Sequence, residues 1–238
     1  MKRIVLMVVR LLYIIPYYFY KLHQFNKQTP VPYEEANALL KHLCRNCSRV
    51  GRVKVHAQGV ENVPLQGGFL LTPNHQGMFD GLVFIDTCPR AIGLIFKEEV
   101  KDIILLKQVA QATGSLPMDR TDLKQSMKVI IEATAQVKSG RGFLVFPEGT
   151  RSKDGNELLD FKGGSFKIAT KSKVPIIPCA LIDSFKPFDS GTIKRVDVYV
   201  KYLTPICYEE YKDWSSVEIA QEVKRRIEEA ISEYEQQV

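Results

Sequence analysis

The sequence predicts an α/β fold in which a mixed, largely parallel sheet is flanked by helices and preceded by a membrane-associated helical hairpin. Two observations indicate this architecture. From Val50 onward, strand-like runs alternate with helix-like stretches, as they do where helices cover a sheet. Before that point, residues 4–20 are almost continuously apolar. A chain of 238 residues, 45% of them hydrophobic, suffices for one large core. We therefore expect a main domain at residues 49–238 and an appendage at residues 1–48.

The amino-terminal segment IVLMVVRLLYIIPYYFY is apolar apart from Arg10 and has basic residues on both sides. As a straight helix, residues 4–20 would be about 25 Å long, shorter than the ~30 Å hydrocarbon core of a bilayer. Arg10 and Pro16 further disfavour a full span. An interfacial or partly inserted helix is favoured, because tyrosines settle at the level of lipid headgroups. A core helix with a tyrosine-rich end is the alternative, and no cleavage site of a signal peptide follows Tyr20.

Three further helices are predicted from apolar residues that recur on one side. The first runs from Tyr33 to about Ser48 and packs with the amino-terminal helix as a hairpin. The second runs from Thr121, as its cap, to Ser139, with Gly140 as its stop. The last begins near Ser215. Their apolar sides comprise Ala36, Leu39, Leu40 and Leu43 in the first, Leu123, Met127, Ile130 and Val137 in the second, and Ile219, Val223, Ile227 and Tyr234 in the last.

The predicted strands come from short runs that alternate in polarity or are continuously apolar. They lie at residues 53–57, 69–72, 91–96, 143–146, 174–182 and 196–202. Because open α/β sheets build their sites where strands end, polar residues that directly follow these runs are the candidates for function.

Charge and cysteine content limit the environment of the protein. The net charge of +6 suits an anionic membrane, a phosphorylated small molecule or nucleic acid. Nucleic acid is disfavoured, because the basic residues are dispersed and no recognition motif is present. Five cysteines do not suggest a disulfide framework, which favours a reducing compartment that faces the cytosol. Cys44 and Cys47 form a lone C-x-x-C without a second pair, so we interpret them as ordinary thiols.

His75 follows the predicted strand 69–72 through Pro73 and has Asp80 five residues further on. In a regular helix this separation turns the side chains about 140° apart, so they meet only if residues 76–79 form an irregular turn, which Gly77 would ease. Asp80 would then orient one imidazole nitrogen and leave the other to accept a proton from a substrate hydroxyl. A core histidine beside an incidental aspartate is the alternative for this segment alone.

A second group of candidates follows the strand at residues 143–146. Glu148, Gly149, Thr150 and Arg151 combine a carboxylate, a flexible backbone, a hydroxyl and a guanidinium, and arginine binds phosphate in fork geometry. Arg120 precedes the helix that begins near Thr121, whose amino-terminal dipole favours an anion. These residues together predict a substrate that carries phosphate. No metal is expected, because histidines and carboxylates do not cluster at the spacing of metal ligands.

Four blocks of the sequence resemble those of the glycerolipid acyltransferases, in particular the lysophosphatidic acid acyltransferases, and they stand in the same order. They are N-H-x-x-x-x-D at 74–80, G-x-x-P-x-D-R at 114–120, F-P-E-G-T-R-S at 146–152 and V-P-I-I-P at 174–178. The resemblance covers about residues 50–205. One departure is Gly77, where many members have serine. H-x-x-x-x-D alone would be a weak signal, whereas four blocks in order are a strong one.

The resemblance implies transfer of a fatty acyl group to the free hydroxyl of 1-acyl-sn-glycerol-3-phosphate (lysophosphatidic acid), which gives phosphatidic acid. The donor would be acyl-CoA or acyl carrier protein, which are substrates, so no cofactor is implied. His75 would be the general base, Asp80 its orienting partner, and Arg120, Glu148, Gly149 and Arg151 would surround the phosphate. Residues 174–178 would line the passage for the acyl chain or the acceptor.

Several points stay open from sequence. The acceptor could instead be glycerol 3-phosphate or another lysophospholipid, and a non-catalytic membrane-binding module is a further alternative from a different class. Backbone N–H groups near residues 75–80 are candidates for stabilising the oxyanion. We expect the protein to bind membrane lipid and to face the cytoplasm.

Overall fold

The structure, a computed structural model, describes residues 2–236. Within that range, seven strands form one sheet in the order β1-β7-β6-β2-β5-β3-β4. The strands are β1 (Val53–Gln58), β2 (Phe69–Pro73), β3 (Ile92–Lys97), β4 (Leu116–Met118), β5 (Gly142–Leu144), β6 (Ile176–Ile182) and β7 (Val196–Tyr202). All neighbouring strands are parallel except β6 and β7. The predicted mixed, largely parallel sheet is confirmed.

The helices of the described residues flank this sheet. They are α1 (Lys2–Leu11), α2 (Ile15–Asn26), α3 (Tyr33–Val50), α4 (Asp80–Thr87), α5 (Ile104–Thr113), α6 (Leu123–Lys138), α7 (Lys167–Ser172), α8 (Lys186–Asp189), α9 (Tyr208–Tyr211) and α10 (Ser216–Glu235). The helices predicted from Tyr33 and from near Ser215 are confirmed, and Ser215 caps α10 through the N–H of Glu218. Helix α5 and strand β4 had no counterpart among the sequence predictions.

Both faces of the sheet are covered, and the central strand β2 is buried along its whole length. On one face, Leu70 packs with residues of α6, α7 and α10, including Val223 and Ile227. On the other face, Phe69 and Leu71 pack with α4. Successive side chains of a strand point to opposite faces, so a strand between two helical layers must be apolar throughout.

The amino-terminal segment is broken rather than straight, so the single helix over residues 4–20 is wrong. Helices α1 and α2 are separated by a turn and bent by 81°. Pro16 explains the break, because within one helix it would remove a hydrogen bond and its ring would clash with the carbonyl of Leu12. In the structure Pro16 lies in the first turn of α2, where no hydrogen bond is lost.

Helices α1 and α2 nevertheless each have one buried side and one exposed side. In α1, Arg3, Met7 and Leu11 are buried, whereas the other side exposes apolar residues. The apolar residues on the exposed side of α1 and just beyond it are Val5, Val8, Val9, Leu12 and Tyr13. Tyr18 and Leu22 of α2 pack with Leu40 of α3. Within residues 2–236 no single helix is long and apolar enough to cross a membrane, while α1 and α2 meet that test as a bent pair.

Helix α6 differs from its prediction at its start. Asp122, not Thr121, is the cap, because its carboxylate accepts hydrogen bonds from the N–H groups of Lys124 and Gln125. Leu123 and Met127, predicted to pack inward, are 78% and 65% exposed. The apolar positions of α6 span a wide arc, and these two lie at its outer edge.

The sheet topology collects the ends of several strands at one edge, which we call the upper edge. Strands β2 to β6 run in one direction and end there. Because β6 and β7 are antiparallel and β1 is parallel to β7, β1 and β7 begin at this same edge. The catalytic and phosphate-binding candidates, namely His75, Asp80, Arg120 and residues 148–151, therefore follow strands that end at the upper edge.

Candidate active site

His75 lies in an irregular turn between β2, which ends at Pro73, and α4, which begins at Asp80. The predicted turn at residues 76–79, with the histidine outside the helix, is confirmed. Gly77 allows close approach rather than a left-handed backbone, since a Cβ there would lie 3.2 Å from the Ser184 carbonyl oxygen. Within the turn, Phe79 is fully buried, whereas Met78 is 54% exposed.

The Asp80 carboxylate is fully buried and accepts four hydrogen bonds. Its Oδ2 accepts from His75 Nδ1 at 2.7 Å, from the N–H of Gln76 at 2.7 Å and from the N–H of Gly77 at 3.0 Å. Its Oδ1 accepts from the Ser184 hydroxyl at 2.6 Å. A buried charge is tolerated where such donors replace water. This network holds the carboxylate in one orientation against the imidazole.

The imidazole of His75 is held on two sides. Its Nδ1 faces Asp80, which identifies Nδ1 as the protonated nitrogen. Its ring stacks on Phe146, with centroids 3.9 Å apart and planes 21° apart. The side chain is 17% exposed, and within residues 2–236 no protein group hydrogen-bonds Nε2. An oriented imidazole with an unpaired Nε2 lone pair is the arrangement of a general base.

The buried side chain of Glu148 links two loops by hydrogen bonds. One carboxylate oxygen accepts from the N–H of His75 at 2.7 Å and the other from the N–H of Leu159 at 3.2 Å. Burial, opposed by these two hydrogen bonds, raises the pKa of Glu148 to about 7. Because the side chain is 2% exposed and both oxygens are engaged, Glu148 supports the site rather than presenting a group to a ligand.

The backbone donors of the turn are already used. The N–H of His75 donates to Glu148, and those of Gln76 and Gly77 donate to Asp80. These three groups are therefore not free to bind an oxyanion, which corrects our expectation for this part of the turn.

The remaining candidates for phosphate binding also lie at the upper edge. Thr150 and Arg151 are exposed, and the N–H of the next residue, Ser152, donates to the His75 carbonyl at 2.8 Å. Gly149 has a φ of +72°, which favours glycine. Arg120 follows β4, three strands from β2, and is exposed. The structure thus joins Arg151 to the histidine turn and places Arg120 at the far side of the edge.

Three residues of the site were missed by the sequence analysis. Ser184 orients Asp80, and Gln76 ties the turn to the same segment by accepting from the Ser184 N–H at 2.7 Å. Lys162 lies beside the Gly149 turn, with Nζ 3.0 Å from where a Cβ on Gly149 would be. Ser184 could have been found, because it follows the buried strand 176–182 as the other candidates follow theirs.

Two other predicted features lie away from the turn. Residues 174–178 precede and begin β6, at the opposite half of the sheet from His75, and Ile176 and Ile177 are fully buried in the core. Cys44 and Cys47 are free thiols, and burial raises the pKa of both. Among the described residues, no group of three histidine, cysteine or acidic side chains is placed to hold a metal ion.

Comparison with known proteins places this geometry in context. A model of the Acyltransferase family matches residues 53–182, more than half of the chain. The 1-acyl-sn-glycerol-3-phosphate acyltransferase of Helicobacter pylori is 31% identical over 163 residues, which cover 68% of each chain. The enzyme of the same name from Salmonella typhimurium is 26% identical over 202 residues, covering 84% of this chain and 82% of the relative.

The fold also has a counterpart among solved structures. The crystal structure of the 1-acyl-sn-glycerophosphate acyltransferase from Thermotoga maritima superposes with a TM-score of 0.77 and covers 98% of both chains. At 20% identity, this likeness supports the fold alone. The match extends over α1 and α2 as well as the sheet, since almost the whole chain is covered.

Proposed function

The chain belongs to the Acyltransferase family and is an acyltransferase enzyme, and we propose that it transfers a fatty acyl group from a thioester to the free hydroxyl of 1-acyl-sn-glycerol-3-phosphate. The product would be phosphatidic acid, an intermediate of phospholipid synthesis. The observation that carries the proposal is the His75–Asp80 pair, in which a fully buried carboxylate orients an imidazole whose second nitrogen is free. The names of the relatives support the acceptor.

The chemical step requires one base and no covalent enzyme intermediate. His75 Nε2 accepts the proton of the acceptor hydroxyl as its oxygen attacks the carbonyl carbon of the thioester. The tetrahedral oxyanion then collapses, the C–S bond breaks, and the thiolate leaves and takes the proton back from the imidazolium. Asp80 stabilises that imidazolium, because its carboxylate lies 2.7 Å from Nδ1. The reaction consumes one thioester and yields one ester and one free thiol.

Recognition of the acceptor phosphate is assigned to the exposed cations and the glycine turn of the upper edge. Arg151 is the first choice, because its loop is hydrogen-bonded to the histidine turn. Gly149 and Thr150 supply backbone and hydroxyl donors in the same turn, and Arg120 adds charge from the far side. Glu148 does not fit a direct contact with an anion and serves the site by holding His75 in place.

The donor is acyl-CoA or acyl carrier protein, and the reaction takes place at a membrane surface that faces the cytoplasm. The exposed apolar side of α1 supports contact with lipid, since it places Val5 and Val9 at 60% and 66% exposure. We place α1 and α2 at the interface as a bent pair.

Release of free thiol tests the proposal directly. We expect thiol release from acyl-CoA or from acyl carrier protein that requires lysophosphatidate, and a panel containing glycerol 3-phosphate and lysophospholipids with larger headgroups identifies the acceptor. Thiol release that depends equally on every acceptor, or a preference for glycerol 3-phosphate, would contradict the assignment.

Two substitutions separate the roles. His75→Ala should nearly abolish acyl transfer while the protein remains folded. Wild-type turnover by this variant would refute the role of His75 as the general base. The control is His56→Ala, which removes another histidine paired with an aspartate at 2.7 Å, on β1. Arg151→Ala should raise KM for phosphate-bearing acceptors and leave an acceptor without phosphate unaffected.

A further inference from the structure

A cationic cleft of about 660 Å³ lies between the end of α3 and the start of β1, separate from the His75 turn. Apolar residues Val53 and Val55 form part of its wall. Its basic residues are Arg45, Arg49, Arg52, Lys54 and Arg195, and Asp86 is its one acidic lining residue. The proposed reaction uses none of these side chains.

The positive charge of the cationic cleft is only partly neutralised. Arg45 pairs with Asp86 at 2.7 Å, and Arg195 lies 3.7 Å from Asp197. Within residues 2–236 no carboxylate lies within 4 Å of the cations of Arg49, Arg52 or Lys54, and all three residues are exposed. Like charges clustered on an open surface depression create a positive potential that attracts an anion with several oxygens.

Topology places one end of the cationic cleft at the upper edge. Lys54 and Arg195 stand at the starts of β1 and β7, which begin where β2 and β6 end. The strand order β1-β7-β6-β2 puts three strand spacings, about 14 Å, between the cleft side of the sheet and the strand that leads to His75. The basic end of the cleft formed by Lys54 and Arg195 therefore lies at the same edge as the candidate active site, whereas Asp86, near the end of α4, lies toward the opposite edge.

Helix α1 is fastened to the same segments that line the cationic cleft. The buried guanidinium of Arg3 donates to the carbonyls of Gly51 and Arg52 on one segment and of Lys194 on another. Arg10 donates to the Val50 carbonyl at 2.9 Å. Helix α1, whose other side exposes apolar residues, thus lies next to the segments of the cleft, and apolar surface near clustered cations is the pattern of a protein that binds an anionic bilayer.

We propose that the cationic cleft binds the phosphate headgroup of an anionic phospholipid in the membrane on which α1 lies. The inference rests on the membrane location in the proposed function, and it adds a lipid site that is distinct from the acceptor site. The adjacent apolar helix favours a lipid over a free anion, because headgroup binding and insertion of α1 then occur at one surface.

Vesicle binding tests this site without any measurement of activity. The double variant Arg49→Gln/Lys54→Gln should bind vesicles of phosphatidylcholine and phosphatidylglycerol about 30-fold more weakly than wild type, since each basic residue near an anionic surface contributes about fivefold. Both proteins should bind pure phosphatidylcholine vesicles equally. Unchanged binding of the double variant to the anionic vesicles would overturn the proposal.

The matched control is Lys167→Gln/Lys171→Gln, which removes two exposed lysines of α7. That helix leads into the amino end of β6 and so lies at the opposite edge. We expect this control variant to bind the anionic vesicles nearly as tightly as wild type. An equal loss of vesicle binding in both double variants would show that only net charge matters and would overturn the proposal. Displacement from vesicles by inorganic phosphate, but not by chloride at the same ionic strength, would assign the site to free phosphate instead.

Activity in detergent micelles separates this proposal from the proposed function. With lysophosphatidate dispersed in a neutral detergent, Arg49→Gln/Lys54→Gln should keep the wild-type kcat and KM. If the wild type transfers no acyl groups, the proposed function is refuted. The vesicle-binding experiment still tests the lipid site, because it does not depend on activity. Loss of micellar activity in the double variant, with its thermal unfolding unchanged, would assign the cleft to substrate binding and overturn the lipid site.

Discussion

Replacement of Glu148 by glutamine should remove a pH dependence from the stability of this protein. Glu148 is 2% exposed, and its carboxyl group joins the N–H groups of His75 and Leu159. Burial raises its pKa from 4.5 to about 7. The folded state therefore holds a proton that the unfolded state releases between these two values.

The sign and size of the effect follow from that difference. A carboxyl whose pKa is raised by folding contributes its full stability below the unfolded pKa of 4.5 and loses it as the pH rises through 7. With these two pKa values, the free energy of unfolding should fall by about 2.5 kcal/mol between pH 5 and pH 8 because of Glu148 alone. Above pH 8 this group adds no further slope.

Urea unfolding at several pH values measures the effect. Histidines and other carboxyl groups titrate in both proteins, so the informative quantity is the difference between wild type and Glu148→Gln at each pH. Glutamine cannot titrate and turns an N–H toward one of the two backbone donors, which costs about 1–3 kcal/mol at every pH. The advantage of the wild type should therefore shrink as pH rises. Parallel curves for the two proteins from pH 5 to pH 8 would refute the reasoning.

Three further outcomes are expected. Ser184→Ala removes one of four hydrogen bonds to Asp80, a charged acceptor, and should lower kcat about tenfold or more with KM little changed; an unchanged kcat would contradict its role in positioning. Phe79→Ala should lower the free energy of unfolding by about 3–5 kcal/mol in urea denaturation, since the ring is fully buried. Arg3→Met should loosen α1 and increase hydrogen exchange of its amides, because the guanidinium donates to several backbone carbonyls; unaltered exchange would count against that anchoring.

Much of the sheet could be predicted from sequence, because buried strands read as continuous apolar runs. Residues 69–72 show this most clearly, whereas residues 196–202 were predictable from alternating polarity, and the structure has strands at Phe69–Pro73 and Val196–Tyr202. The short strand β4 carries no such run, since Leu116–Met118 contains a proline and depends on pairing with β3. Its existence is decided by tertiary contacts that a local pattern does not contain.

The candidate site was predictable where its members are close in the chain. The five-residue spacing of His75 and Asp80 required the irregular turn that the structure shows. The Ser184 hydroxyl joins Asp80 across 104 residues, so its role depends on the pairing of β6 with β2. The burial of Glu148 was not predictable from sequence, because the residue type suggests a polar surface group and only the packed fold encloses it.

The saturated hydrogen bonding of Asp80 has a consequence for how the enzyme is controlled. The Asp80 carboxylate already accepts four hydrogen bonds, so substrate binding need not form any further bond to it. The imidazole of His75 is therefore preorganised in the protein without substrate. Little reorganisation energy remains for the reaction step. If the proposed reaction takes place at a bilayer, its control would then act on the supply of lipid to the site, and the rate at low lipid coverage should follow the surface concentration of lipid rather than a rearrangement of His75 and Asp80.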